Sequence, residues 1–424
     1  VTVPDAPAAP AEPVAPHGRR KAAMSFILVA VLIDMIAVGV MVPVLPHIVG
    51  RFVTDPQDQV LGFLAVTAAF GVANFLASPL LGALSDRFGR RPILLLGFLA
   101  LALSFFVTAA AEALWVLVVV RLFSGAMQAN VGVAQAYVAD ITPPEQRARR
   151  FGLVGAMFGV GFILGPVVGG TLGDIDVRLP FVVAGALALL NFIYGSFVLP
   201  ESLPPERRRA FEWRRANPVT SLRNLVTLRE VGPLVGVIAL SGLSTFMLHV
   251  TWVLYTKFRF GWGPGDVGWS LFAVGLASAL GQGVLMKPLL ARFSAQRVAV
   301  MGLLSAATAY AAWGLATEPW MVYAVIALNV LGGTASAALQ SLVSNAVDGT
   351  RQGQTLGAVA SLNSLMAVVA PLLGLEMMRW VSHLPSSHWL VGLPLLACAC
   401  LQAAAALLAF VTFRRRARLV PASP

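Results

Sequence analysis

Apolar runs recur along the whole chain, each closed by a short cluster of charged residues or by Gly and Pro. Runs of about 20 residues or more let a helix cross a ~30 Å hydrocarbon core. None alternates polar and apolar positions as a barrel strand would, so the pattern predicts membrane helices. Twelve spans are predicted, near 24–48, 59–82, 93–111, 114–139, 151–173, 180–199, 231–256, 266–290, 298–316, 320–345, 354–381 and 390–412. The longest connection, 200–230, divides them into six plus six. The predicted organisation is a disordered tail 1–22, a six-helix bundle 23–199, a basic linker 200–230, a six-helix bundle 231–412 and a tail 413–424. Within the linker, Thr220 to Leu228 reads as a short amphipathic piece on the membrane surface. Pro79-Leu80-Leu81 followed by Arg87-Phe88 is echoed by Pro288-Leu289-Leu290 and Arg292-Phe293, which predicts two related halves. Related halves around a central site are an architecture of alternating access.

Composition agrees. Hydrophobic residues make up 58% of the chain and charged residues only 12%, against about 25% charged in a soluble domain. The mean hydropathy is +0.81. The net charge of +11 does not indicate nucleic acid as a partner, because the basic residues form short blocks between spans, as at Arg207-Arg208-Arg209 and Arg414-Arg415-Arg416. Positive charge retained on the cytosolic side beside anionic lipid has this pattern. The opposite loops keep only Arg51, Arg178, Lys257, Arg259 and Arg379, so both termini are expected in the cytosol. Arg19-Arg20-Lys21 resembles the opening of a signal peptide, but the apolar stretch after it is too long for one and reads as span one. Cys398 and Cys400, inside the last span, read as small packing residues.

Two glycine-bearing strings stand out. The first, Gly82-Ala83-Leu84-Ser85-Asp86-Arg87-Phe88-Gly89-Arg90-Arg91-Pro92, is a tight turn with a carboxylate among guanidinium groups. Gly82, Asp86, Arg87, Arg90 and Asp140 are expected to form a latch on the cytosolic face, with Asp86 also near the start of span eleven. The second string fills span five with Gly152, Gly161, Gly165-Pro166 and Gly169-Gly170. Glycines on one helix face admit a close neighbour, and Pro166 bends the span.

The first string resembles the loop signature of the major facilitator superfamily, and the second that of its drug–proton antiporters. Arg121 to Gly125, Ala136 to Thr142, Asp34 with Gly39 and Pro43 to Pro46, Leu199 to Ser202, and Val347 to Gly353 look like the tetracycline–proton antiporter branch. The resemblance implies the twelve-helix major facilitator fold, residence in a bacterial inner membrane, small-molecule and proton partners, and a monomer. It implies no cofactor beyond a proton gradient as energy source. It also implies a central cavity lined by spans one, four, seven and ten. By the same resemblance, that branch carries acidic residues in spans three and nine and a histidine in span eight. Here those positions hold Ser104, Ala306 and Ser278, which points to a different cargo.

Ionisable groups inside a membrane are rare and are functional candidates by default. Lys287 lies close enough to the span end to snorkel. Glu376, with Arg379 at i+3, reads as a boundary ion pair or a proton site. Asp34 and Arg121 sit at similar depth and are expected to meet, so that helix movement would switch the carboxylate between charged and neutral forms. His249 is the further proton candidate. The expected cavity groups are Asn74, Gln128, Asn130, Gln135, His249, Trp252, Gln282, Asn329 and Gln340, a mixture suited to an amphipathic organic molecule. The chain has no P-loop, no metal-spaced His/Cys set and no nucleophile–histidine pairing, so no enzyme or ATP-driven pump is expected. The sequence therefore predicts proton-coupled efflux. An importer or facilitator on the same fold is the alternative, and a non-transporting receptor or scaffold the more distant one.

Overall fold

The helices follow the predicted spans closely. In this computed structural model residues 17–128, 130–208, 232–345 and 352–419 are described, and these form helices and short turns without a strand. Among the described residues eleven helices are long and apolar enough to cross a membrane, and Gln352–Val381 stands where the eleventh of the twelve spans was predicted. The linker from 209 to 231, the surface piece Thr220 to Leu228 and positions 346–351 lie outside the described residues.

Local chemistry sets the helix ends. Pro56 opens span two (Pro56–Phe88) at a position where no N–H is needed, and Asp55 Oδ1 accepts from the Gln57 and Asp58 amides at 2.9 and 3.1 Å. Gly89, at φ +106°, makes the turn into span three (Arg90–Ala110), a conformation that disfavours other residues. Two helices outrun their predicted limits. Span one runs His17–Met41 through the Arg19 to Lys21 cluster, and span twelve runs Leu393–Leu419 through Arg414 to Arg416. Long basic side chains can reach the headgroup layer from a helix end, so these clusters do not stop the helix. The helical residues 17–22 and 413–419 correct the predicted tails.

Among the described residues, span one's helix stops at Met41 before a short helix, Leu45–Val49, and spans four, eight and ten are interrupted within their length. Span four breaks between Leu114–Met127 and Asn130–Ile141, with Gln128 leaving helical geometry at φ −90° and ψ 54°. Span ten breaks at the 3-10 turn Asn329–Gly333, between Pro319–Leu328 and Thr334–Asn345. These two breaks hold corresponding places in the two halves. Span eight passes from Pro264–Leu280 through a π-helical turn, Gly281–Leu285, into Met286–Arg292. Such turns inside helices often mark functional sites.

Burial describes how the halves meet. Span one begins and span twelve ends at one end of the bundle, here called proximal; the other end is distal. At the distal end a single buried core joins both halves, from Val40, Phe63 and Phe181 in the first to Met247, Tyr255 and Leu395 in the second. At the proximal end the core is split in two. One cluster, around Phe26, Leu94 and Tyr137, belongs to the first half, and another, around Val237, Leu303 and Ala405, to the second. The halves thus share one core distally and keep separate cores proximally.

Candidate functional site

A cavity of about 880 Å³ lies where the shared core divides. Its walls come from spans five, seven, eight, nine, ten and twelve. This corrects the expected lining by spans one, four, seven and ten. Among the described residues, spans one and four contribute none of the lining, and span five forms the first half's wall. The reason is visible in span five's glycines. Gly152, Gly155 and Gly159 face open space, with nothing within 4 Å of where a Cβ would stand. Span five is therefore thin exactly along the cavity and does not cover it from the second half.

 The helix Pro144–Ile175 turns two further faces to its neighbours. On one face, a Cβ on Gly161 would stand 2.6 Å from Met35 Cβ, and one on Gly165 would stand 2.7 Å from Gly39 Cα; Gly169 meets Val40 closer still. That face locks span five to span one inside the first half. On the other, a Cβ on Gly170 would stand 2.5 Å from Pro264 O, and Gly268 presses on Pro166 O. That face joins the two halves at the distal end. The one motif therefore serves an open wall, a packing seam and a closure between halves.

Polar contacts reinforce the distal closure. Lys257 Nζ donates to Gln59 Oε1 at 3.1 Å, and Gln59 Nε2 donates to Pro46 O at 2.9 Å. Asp174 Oδ1 accepts from the Gly265 amide at 2.9 Å, capping the start of span eight from span five. Beyond the end of span one's helix, burial and then the charge of Lys257 hold the His47 imidazole below its ordinary pKa. The sequence reading missed Gln59, Lys257 and Asp174. Their signal was weak, since polar residues at span ends are commonplace.

Several expected cavity residues lie elsewhere. Asn74 Nδ2 donates to Gly125 O and Gln128 O at 3.3 and 3.1 Å, satisfying carbonyls freed by the break in span four. Gln128 takes part through its carbonyl, while Gln135 and Gln340 are exposed away from the cavity lining. The Asn130 side chain lies outside the described residues. His249, Trp252, Gln282 and Asn329 do line the cavity. His249 stands 6.2 Å from the Phe162 ring, and Asn329 Oδ1 accepts from Ser305 at 2.9 Å.

The ionisable candidates also separate. Asp34 is buried in span one at 4% exposure. The expected contact with Arg121 is not made in this conformation. Arg121 Nη1 lies 3.2 Å from Met41 Sδ, and the guanidinium sits 4.2 Å over the Phe70 ring. Met41 is seven residues beyond Asp34, about 10 Å along the helix at 1.5 Å per residue, so Arg121 is turned distally. Glu376 holds a two-point ion pair with Arg379, at 2.5 and 3.0 Å, and accepts from Trp380 Nε1 at 3.0 Å. That is a boundary pair at the distal end. Lys287 is exposed.

At the proximal end, Arg90 pairs with Asp86 at 2.6 Å and with Asp140 at 3.2 Å. Glu201 Oε1 accepts from the Arg90 amide at 2.8 Å, tying span six to the start of span three. Arg87 lies over the Phe88 ring at 5.1 Å, and Gly82 has open space beside it. The expected latch residues Asp86, Arg90 and Asp140 come together, but within the first half.

Two helical halves around an off-centre cavity, closed at one end and divided at the other, are the architecture of a membrane transporter. The chain belongs to the Major Facilitator Superfamily, which it matches over residues 27–253 and 234–424. It is 37% identical over 351 residues to the class C tetracycline resistance protein of Escherichia coli, covering 83% of this chain and 88% of that one. To the class B protein of Escherichia coli it is 33% identical over 347 residues, covering 82% and 86%. Among solved structures, a bacterial homologue of the human lysosomal transporter Spinster superposes with a TM-score of 0.74 at 17% identity, covering 94% of this chain and 98% of that one. The human organic anion transporter MFSD10 gives 0.67 at 22% identity, covering 92% and 99%. The chain is an integral membrane transporter.

Proposed function

We infer that this transporter exports an amphipathic organic compound from the cytosol in exchange for protons. The observation that carries the reading is the core shared distally and split proximally, with the cavity at the division. With the termini in the cytosol, as the basic clusters indicate, the cavity faces the side from which an exporter loads. Two relatives at 37% and 33% identity, both named tetracycline resistance proteins, support a drug-like cargo. The proton carrier in this reading is Asp34, buried in the helix that span five grips through Gly161, Gly165 and Gly169. Rocking of the halves would part Lys257 from Gln59 and close the proximal gap.

The test is transport by purified protein in liposomes with a pH-sensitive dye inside. A growth-inhibition panel in a pump-deficient host first selects the compound. Proton movement that follows addition of the compound, with uphill compound movement under an imposed pH gradient, is expected. Downhill movement indifferent to the gradient would establish a facilitator instead.

A further inference from the structure

Gln402 lies on span twelve, which the sequence reading left out of the cavity. It is only 2% exposed, it lines the cavity, and its Oε1 has no hydrogen-bond partner among the described residues. A buried amide oxygen without a donor weakens the fold, so such a group in a cavity wall calls for a donor from what enters.

Two walls flank the same space. Trp252, Tyr310 and Trp313 form one, with Tyr310 stacked on Trp313 at 5.7 Å and Trp252 set edge-on to Trp313 at 5.0 Å between ring centres. Both indole N–H groups are already engaged, Trp252 with Ser270 at 3.1 Å and Trp313 with Val322 O at 3.2 Å. The two indoles therefore offer apolar surface and no free donor. The other wall is the backbone face of Gly152, Gly155 and Gly159, which carries no side chains. Among the described residues, no Asp, Glu, Lys or Arg lines the cavity.

We propose that Gln402 is a cargo-binding residue, and that the cargo is an uncharged planar aromatic compound with an N–H or O–H at its edge. Its rings lie between the aromatic wall and the glycine face, and its donor meets Gln402 Oε1. The absence of lining carboxylates leaves a cation or a chelated metal without a counter-charge. This proposal rests on the reading of the cavity as the cargo site.

The probes are 1-hydroxypyrene and 1-methoxypyrene at pH 7, which share a planar ring system and differ in the donor. Saturable energy transfer from protein tryptophan to pyrene, in the purified full-length chain without a gradient, reports binding. The parent should bind 1-hydroxypyrene roughly tenfold more tightly than 1-methoxypyrene. Gln402→Leu should erase that preference, leave 1-methoxypyrene binding in place, and melt no lower than the parent. Gln402→Met serves as a second variant should the leucine chain not accumulate. Gly159→Phe should weaken both probes at least tenfold by filling the slot. No saturable binding by the parent, equal binding of the two probes, or a preference that survives the loss of Gln402 would overturn the proposal. Binding as expected without proton-driven transport in liposomes would instead overturn the export reading and leave this site standing.

Discussion

Lys257 of span seven reaches across the boundary between the halves to the side-chain oxygen of Gln59 in span two, at 3.1 Å. Gln59 is buried at 4% exposure and is itself held by Pro46 O, so the ammonium meets a fixed acceptor. A hydrogen bond to a charged group contributes about 1.5–3 kcal/mol net, enough to change a two-state population roughly tenfold or more. Lys257→Met should therefore shift molecules toward the distally open state. Spin labels at Thr54 and Ser387, both exposed and in different halves, should report longer distances. An unchanged distribution would show that the glycine seam alone closes this end.

Gly169 and Gly155 should respond oppositely to one added methyl group. A Cβ on Gly169 would run into Val40, whereas one on Gly155 meets nothing within 4 Å. Gly169→Ala should lose about 1–3 kcal/mol through forced separation of spans one and five, read as a lower melting temperature of the purified protein. Gly155→Ala should melt at or above the parent, since alanine favours a helix interior by up to about 1 kcal/mol. Equal effects would contradict the division of span five into an open wall and a packed seam.

Arg90 joins Asp86 and Asp140 at the proximal end. Asp86→Asn leaves Arg90 paired with Asp140 but removes the carboxylate expected to meet the start of span eleven when the proximal side closes, so it should favour the proximally open state that the split cores describe. Labels at Phe88 and Gln296 should move apart on average. Distances that do not change would confine this network to holding spans two, three and four together.

Asp34→Asn should fold, because the neutral amide suits a site buried at 4% exposure, yet it should not move cargo against a gradient. Arg121→Ala should abolish coupled transport as well. Both variants require measurement as purified protein in liposomes, since rates in cells follow expression. Uphill transport by Asp34→Asn at the parent's rate would place the proton elsewhere, with His249 the next candidate.

Tetracycline should be a poor substrate despite the names of the relatives. Ser278 and Ala306 line the cavity where the tetracycline branch is expected to carry titratable groups. Ser104 is buried and spends its hydroxyl on Leu101 O at 2.8 Å. Expression in a sensitive host should raise tetracycline tolerance little; strong resistance would show that the branch's polar groups are dispensable.

The places of the spans along the chain were legible in the sequence, because crossing a ~30 Å apolar layer imposes long apolar runs. The glycine string of span five was legible as a packing element for the same local reason: a missing side chain is written in the sequence. Which neighbour each glycine meets was not, since Gly155 faces a cavity, Gly165 faces Gly39 and Gly170 faces Pro264 only once the halves are assembled. Asp34 and Arg121 could be placed at similar depth from helix rise, but the direction of a long side chain depends on its surroundings, and Met41 with Phe70 drew the guanidinium away. Gln402 shows the same limit most clearly. As one amide in an apolar run it reads as packing, and only the tertiary fold, by burying its oxygen without a donor in a cavity wall, gives it a claim on the cargo.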